Sequence, residues 1–110
     1  HFGDGTVDIL GHRDYVTILN PSSFDRNRYL KEVEENLPDD ADIIGISAGF
    51  DNHQDDWGGV MSTDDYREMG SMVREAARRS DGGCFAILEG GYNHRVLGYN
   101  AMALIEGMEG

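Results

Sequence analysis

Three polar segments of the chain carry side chains that could bind a metal ion or stabilise developing negative charge. The segments are His1–Thr6, Phe50–Asp56 and Glu89–His94. Their candidate groups are His1, Asp4, Asp51, His53, Asp56, Tyr92 and His94. Imidazole and carboxylate groups together bind Zn²⁺ or a similar ion, and an ion with an open coordination position supports hydrolysis. Tyr92 follows two glycines, so its backbone can approach a ligand closely and its phenol can donate a hydrogen bond to an oxyanion.

Two of these segments directly follow predicted strands. Ile43–Gly49 is a short apolar run, which is typical of a strand buried on both faces in a parallel sheet. Cys84–Leu88 is a second apolar run, and it leads directly into Glu89. In open α/β sheets, ligands bind at the carboxyl ends of the strands. We therefore expect Asp51 and Tyr92 to lie at the same edge of one sheet.

The rest of the chain alternates predicted helices with strands. A run rich in β-branched residues predicts a further strand over Tyr15–Leu19. The predicted helices run from about Arg26 to Asn36, from a cap at Ser62 or Thr63 to about Arg79, and from about Arg95 to Met108. Ser62 and Asp65 have the spacing of a reciprocal helix cap. This alternation favours an α/β fold with a mainly parallel sheet and right-handed crossovers.

The composition limits the classes of partner. The chain has 110 residues, of which 9 are Lys or Arg and 21 are Asp or Glu, for a formal net charge of -12. Such an acidic chain disfavours nucleic acid and anionic membranes as partners, and it attracts cations. The single cysteine, Cys84, excludes a disulfide within the chain and suits a reducing compartment, so we expect a cytoplasmic protein. No apolar run has the length of a membrane span, and no signal peptide is visible.

Spacing alone leaves ordinary structural roles open for every candidate. Asp51 could cap its loop through local backbone hydrogen bonds, as Asp often does. Tyr92 could be a core aromatic residue with a satisfied hydroxyl. His53 and His94 could be simple loop residues. The pair Gly90-Gly91 matches neither of the common glycine-rich phosphate loops.

Three sequence blocks together resemble those of the histone deacetylase superfamily, including its prokaryotic acetylpolyamine amidohydrolase-like members. The block His1–Thr6 resembles the end of the family's D-x-H-x-G-[DN]-G-T block. Ser47–Asp51 resembles the S-A-G-F-D block, and Leu88–Asn93 resembles the L-E-G-G-Y block. Any one block would be weak, but all three follow the family's order. The similarity extends over nearly the whole chain.

The resemblance implies a zinc site and an assignment of residues to it. In this family two Asp and one His hold the zinc, which assigns His1 and Asp51 as metal ligands. The remaining Asp would lie two residues before His1. Tyr92 matches the tyrosine that polarises the acyl carbonyl and stabilises the oxyanion. Asp4 matches a carboxylate that orients one of two catalytic histidines, and those histidines lie further upstream in the family.

The implied activity is zinc-dependent hydrolysis of an N-acetylated amine, either acetyl-lysine or an acetylpolyamine. His and Asp ligands accept Fe²⁺ as well as Zn²⁺. Family members also bind a structural monovalent cation beside the zinc loop, and His1 and Asn20 lie near such positions. His53 and Trp57 follow Asp51 closely, so we expect them at the mouth of the substrate site. Phe2 and the run Trp57–Gly59 depart from many eukaryotic members and favour a prokaryotic or archaeal branch.

The resemblance also implies the architecture and the extent of the domain. We expect a three-layer α/β/α domain of the arginase and deacetylase type, with residues 1–110 forming the C-terminal part of a single domain. The beginning at His1, inside a glycine-containing loop, agrees with this expectation. The isolated chain should be inactive and should bind zinc weakly, because one ligand and both proton-transfer histidines are missing.

Three alternatives stay open at this stage. One is an α/β module that binds a nucleotide or small anion, which the acidity and the missing phosphate loop disfavour. Another is a ureohydrolase on the same broad fold, which would need a two-metal site with several more Asp ligands than Asp51–His53 supplies. The last is a branch that keeps the fold and has lost catalysis, against which the presence of Asp51 and Tyr92 argues.

Overall fold

The computed structural model describes residues 25–110, in which three helices alternate with two strands. The elements are α1 (Arg26–Asn36), β1 (Ile43–Ala48), α2 (Thr63–Arg79), β2 (Gly83–Leu88) and α3 (His94–Glu109). Each matches a predicted element, with ends that differ by a residue or two. No helix within residues 25–110 combines the length and hydrophobicity that a membrane span requires. The predicted strand Tyr15–Leu19 and the candidates His1, Asp4 and Asn20 lie outside the described residues.

Polar caps begin each of the three helices. The Asp25 side chain accepts hydrogen bonds from the first turn of α1, and that of Asn93 does the same for α3. Ser62 and Asp65 form the predicted reciprocal cap of α2. The Asp65 carboxylate also pairs with Arg26 of α1, at 2.6 Å. Burial raises the pKa of Asp65, but the hydrogen bonds from Arg26 and Ser62 outweigh it and hold the pKa below its usual range.

The two strands pair in parallel, in a register that joins Ile43 to Gly83 and Ala48 to Leu88. The described helices cover one face of β1, but on the same face of β2 Leu88 is 60% exposed. Ile44 packs with residues of α2, and Ala48 packs in a larger cluster that includes side chains of all three helices. The other face leaves Ile43, Phe85 and Ile87 66%, 50% and 57% exposed within the described residues. The α/β class and the parallel sheet are therefore confirmed, whereas a second covering layer remains a prediction.

Helices α2 and α3 pack closely because glycine occupies their contact. A Cβ atom placed on Gly107 would lie 2.1 Å from the carbonyl oxygen of Arg67. One placed on Gly70 would lie 2.4 Å from the carbonyl oxygen of Leu104. Both obstacles are backbone atoms, so a side chain at either position would force the helices apart. This contact matters for the site because α2 and α3 each begin where a polar loop ends.

We expect Gly107→Ala to destabilise the protein by about 1–3 kcal/mol, because the new methyl group overpacks the contact between α2 and α3. Gly98 lies on the same helix, and a Cβ atom there would meet no described residue within 4 Å. Gly98→Ala should therefore stabilise the protein by about 0.5–1 kcal/mol through helix propensity alone. Urea unfolding of both variants measures the difference. Equal unfolding free energies for the two variants would contradict this account of the packing.

Candidate active site

The ends of β1 and β2 hold the two polar loops side by side. Backbone pairing continues past the strands, since the Glu89 N–H donates to Ala48 O at 3.0 Å and the Phe50 N–H donates to Gly90 O at 2.9 Å. Parallel strands present their carboxyl ends at one edge, which is where these bonds occur. The structure thus confirms that the segments after the two strands meet at a single edge of the sheet.

Asp51 is buried at this edge with an unsatisfied carboxylate. Asp51 is 5% exposed, and its Oδ1 has no hydrogen-bond partner among the described residues. A buried carboxylate without a partner is costly, and such a group calls for a ligand or an ion. The sequence left open that Asp51 caps its own loop. Within residues 25–110, no hydrogen bond of the Asp51 side chain supports that role.

Gly90 leaves the space that the Asp51 carboxylate occupies. A Cβ atom on Gly90 would lie 3.0 Å from Asp51 Oδ2 and 3.1 Å from Cγ. The carboxylate therefore lies directly against the backbone of the second loop. Within residues 25–110, no group of three His, Cys, Asp or Glu side chains could hold a metal ion. The donor chemistry of Asp51 fits a metal ligand, and among the described residues Asp51 is the one member of the ligand set expected from the resemblance.

Tyr92 lies at the surface beside this edge. It follows Gly91, whose φ of +142° is a conformation that glycine adopts readily and other residues rarely do. A Cβ atom on Gly91 would also lie 3.2 Å from Phe50 Cβ, which is a close contact. Tyr92 is 52% exposed, and its ring stacks on that of Trp57 with centroids 4.1 Å apart. Tyr92 is therefore not a core aromatic residue, which was the ordinary role that the sequence left open for it.

The loop after Asp51 is folded tightly on itself. The Asn52 carbonyl accepts hydrogen bonds from the N–H groups of Val60 and Met61, at 3.0 and 2.8 Å. His53 is 2% exposed, and its Nδ1 accepts the Asp55 N–H at 3.1 Å. Because Nδ1 accepts, a neutral ring carries its proton on Nε2, which then donates to Thr63 Oγ1 at 3.3 Å. His53 thus lies inside the loop, among groups that fix the loop's shape.

Asp56 joins this loop to the one that carries Tyr92. Its Oδ2 accepts the N–H groups of Tyr92 and Asn93 at 2.8 and 2.9 Å, and its Oδ1 accepts the Trp57 N–H at 2.7 Å. Partial burial alone would raise the pKa of Asp56. The hydrogen bonds from Asn93, Tyr92 and Trp57 have the larger effect together, and they hold the pKa below its usual range. The sequence placed Asp56 among the polar loop residues that could bind a metal ion, and no local pattern links it to residues 36 and 37 positions away.

The structure brings together some of the predicted site residues and separates others. Asp51 lies against Gly90, two residues before Tyr92, and Trp57 stacks on Tyr92. Trp57, Tyr92 and His94 also line one open depression in the surface. His53, the other residue expected at the substrate mouth, lies inside the loop. Trp57 is therefore exposed at this edge of the sheet, whereas His53 is buried within the loop.

Comparison with known proteins identifies the family. The family model for the histone deacetylase domain matches residues 21–108. A probable deacetylase from Methanothermobacter thermautotrophicus is 32% identical over 100 residues, which cover 91% of this chain and 27% of that protein. The chain therefore belongs to the histone deacetylase family, and the resemblance drawn from its sequence blocks is confirmed. The chain spans little more than a quarter of that relative's length, and the His1–Thr6 block precedes the range that the family model matches.

We expect Gly90→Ala to lower metal binding in a protein extended upstream of His1, because the new methyl group would displace the Asp51 carboxylate. Gly83 begins β2, the strand that leads to Gly90, and a Cβ atom there would meet no atom of residues 25–110 within 4 Å. Gly83→Ala is therefore the matched control and should bind metal like the parent. Bound zinc per chain, measured by elemental analysis, decides the prediction. It is wrong if both variants retain the same zinc content.

Proposed function

We propose that this chain is the C-terminal part of a zinc-dependent amidohydrolase that removes acetyl groups from acetyl-lysine or acetylpolyamine substrates. Membership of the histone deacetylase family supports the reaction class. The observation that carries the proposal is the buried Asp51 carboxylate, which lies beside the turn that presents Tyr92 and whose Oδ1 has no partner among the described residues. A buried carboxylate beside an exposed phenol that can donate to an oxyanion suits amide hydrolysis at one metal ion better than it suits the two-metal site of a ureohydrolase or a nucleotide-binding module.

Asp51 and His1 would hold the metal, together with an Asp upstream of His1. A bound zinc ion supplies a Lewis acid that polarises the acyl oxygen and lowers the pKa of a water molecule. Fe²⁺ could occupy the same His and Asp ligands. Asp4 would orient one of the upstream histidines that take up the water proton, and a structural monovalent cation would lie near His1 and Asn20.

Tyr92 would donate its phenolic hydrogen bond to the oxyanion that forms from the acyl carbonyl. Its exposed position leaves the ring accessible to a substrate. Trp57 is 69% exposed and stacks on Tyr92, so it would line the mouth of the substrate site. His53 would contribute from within, by holding the shape of the loop that carries Trp57. The acidic composition of the chain favours a cationic amine as substrate.

The complete domain would have helices on both faces of the sheet. Ile43, Phe85 and Ile87 form an apolar row on the open face of the described sheet, and apolar side chains of this size are usually covered.

Under this proposal, the isolated residues 1–110 lack both a metal ligand and the proton-transfer histidines. We expect them to be inactive.

The direct test is hydrolysis by a protein extended upstream of His1, with an acetyl-lysine reporter and an acetylpolyamine as substrates. Turnover should require the metal and stop when a chelator is added. Tyr92→Phe should lower kcat by about 10²–10³-fold, because one hydrogen bond to the oxyanion is lost. The zinc content should stay unchanged, since Tyr92 is not a ligand.

Tyr99→Phe is the matched control, because Tyr99 is 73% exposed on α3 and loses the same hydroxyl group. Its kcat should equal that of the parent. Full activity of Tyr92→Phe would contradict the role of the phenol, and turnover that persists without metal would contradict the reaction class. Chelator-sensitive deacetylation by residues 1–110 alone would contradict the proposal that the site is incomplete in this chain.

A further inference from the structure

We propose that Asp56 is a positioning residue for Tyr92, which sets the place of the phenol by holding the backbone that carries it. This inference rests on the proposed role of Tyr92 in the reaction. It assigns a function to a carboxylate that lies five positions after Asp51 in the same loop.

The hydrogen bonds of Asp56 are directed at one short stretch of backbone. Oδ2 accepts two consecutive N–H groups, those of Tyr92 and Asn93. Consecutive backbone N–H groups form a small anion-binding concavity, and Asn93 is also the N-cap of α3, where the helix dipole favours negative charge. Bonds from N–H groups to a carboxylate are roughly twice as strong as those between neutral groups. The Trp57 N–H binds Oδ1 and so fixes the rotation of the carboxylate.

Two neighbouring contacts hold the same stretch from other directions. Asn93 Nδ2 donates to the Asp55 carbonyl at 2.7 Å, while Asn93 Oδ1 caps α3 through the Arg95 N–H. The Trp57 ring lies on the Tyr92 ring, with an angle of 21° between the planes. The segment from Asp55 to Trp57 thus holds both the main chain and the ring of Tyr92.

Tyr92 needs such a tether because of the residues before it. It follows Gly90 and Gly91, and glycine restricts the backbone less than any other residue. Without Asp56, the turn would be free to adopt other conformations and the phenol would be less often at the oxyanion. A displacement of about 1 Å can lower a rate by about 10²-fold, so modest loosening would be measurable.

Asp56→Asn in the extended protein should lower kcat by about 10-fold with little change in KM, because the amide keeps one acceptor and loses the charge that orders the turn. In the Tyr92→Phe background, the same substitution should lower kcat by less than about 2-fold, because the positioned hydroxyl is already absent. Such non-additivity is what a role through Tyr92 requires. A merely structural role would lower kcat by the same factor in both backgrounds.

Asp55→Asn is the matched control, since it removes the same charge from the adjacent residue. In these loop contacts Asp55 uses only its backbone N–H and carbonyl. Its kcat should stay within about 2-fold of the parent. If Asp56→Asn lowers kcat no more than Asp55→Asn, or lowers it equally with and without the Tyr92 hydroxyl, the inference is overturned and the proposed function stands. If Tyr92→Phe alone has full activity, both fail.

The emission of Trp57 gives a readout that does not depend on activity. The signal of this residue is the part of the tryptophan emission that is lost in Trp57→Phe. If Asp56 holds the two loops together, Asp56→Asn should open the stack with Tyr92 and increase quenching of this signal by acrylamide. Asp55→Asn should leave the quenching unchanged. Equal quenching in Asp56→Asn and the parent would overturn the inference even where the activity of a variant cannot be measured.

Discussion

The site depends on the parallel pairing of β1 and β2 past the ends of the strands. Two backbone hydrogen bonds, from Phe50 to Gly90 and from Glu89 to Ala48, keep the loops in register after the strands end. They bring the Asp51 carboxylate against the Gly90 backbone, where a Cβ atom would lie only 3.0 Å from Oδ2. The turn at Gly91 follows directly after this contact, and it presents Tyr92 at the surface beside Trp57.

Asp51 and Asp56 lie in the same loop, but their carboxylates have different surroundings. Asp56 is satisfied by three backbone N–H groups, which hold its pKa below the usual range and make it a structural anion. Asp51 is buried, and its Oδ1 has no partner among the described residues. A satisfied carboxylate gains little from a further ligand, whereas an unsatisfied buried one gains much. The difference in environment, rather than in residue type, separates the positioning group from the proposed ligand.

Local features of the sequence predicted most of the fold. The apolar run before Asp51 predicted β1, and the spacing of Ser62 and Asp65 predicted the start of α2, because strands and caps depend on near neighbours. Sequence could not predict the role of Asp56 or the burial of His53, since their partners are set by how the loops fold. Asp51 and Tyr92 were candidates because they follow predicted strands, and the family blocks gave each of them a specific role. Spacing alone left ordinary roles open for both.

Asp51, and not Asp56, is the proposed metal ligand of this loop. The most direct measurement is a titration of zinc into the metal-free protein extended upstream of His1, for Asp51→Asn and Asp56→Asn side by side. Both variants lose one negative charge from the same loop, so a nonspecific effect of charge would weaken them equally. The account predicts that Asp51→Asn loses tight zinc binding while Asp56→Asn binds like the parent. Equal affinities in the two variants, or loss of zinc binding in Asp56→Asn alone, would contradict it.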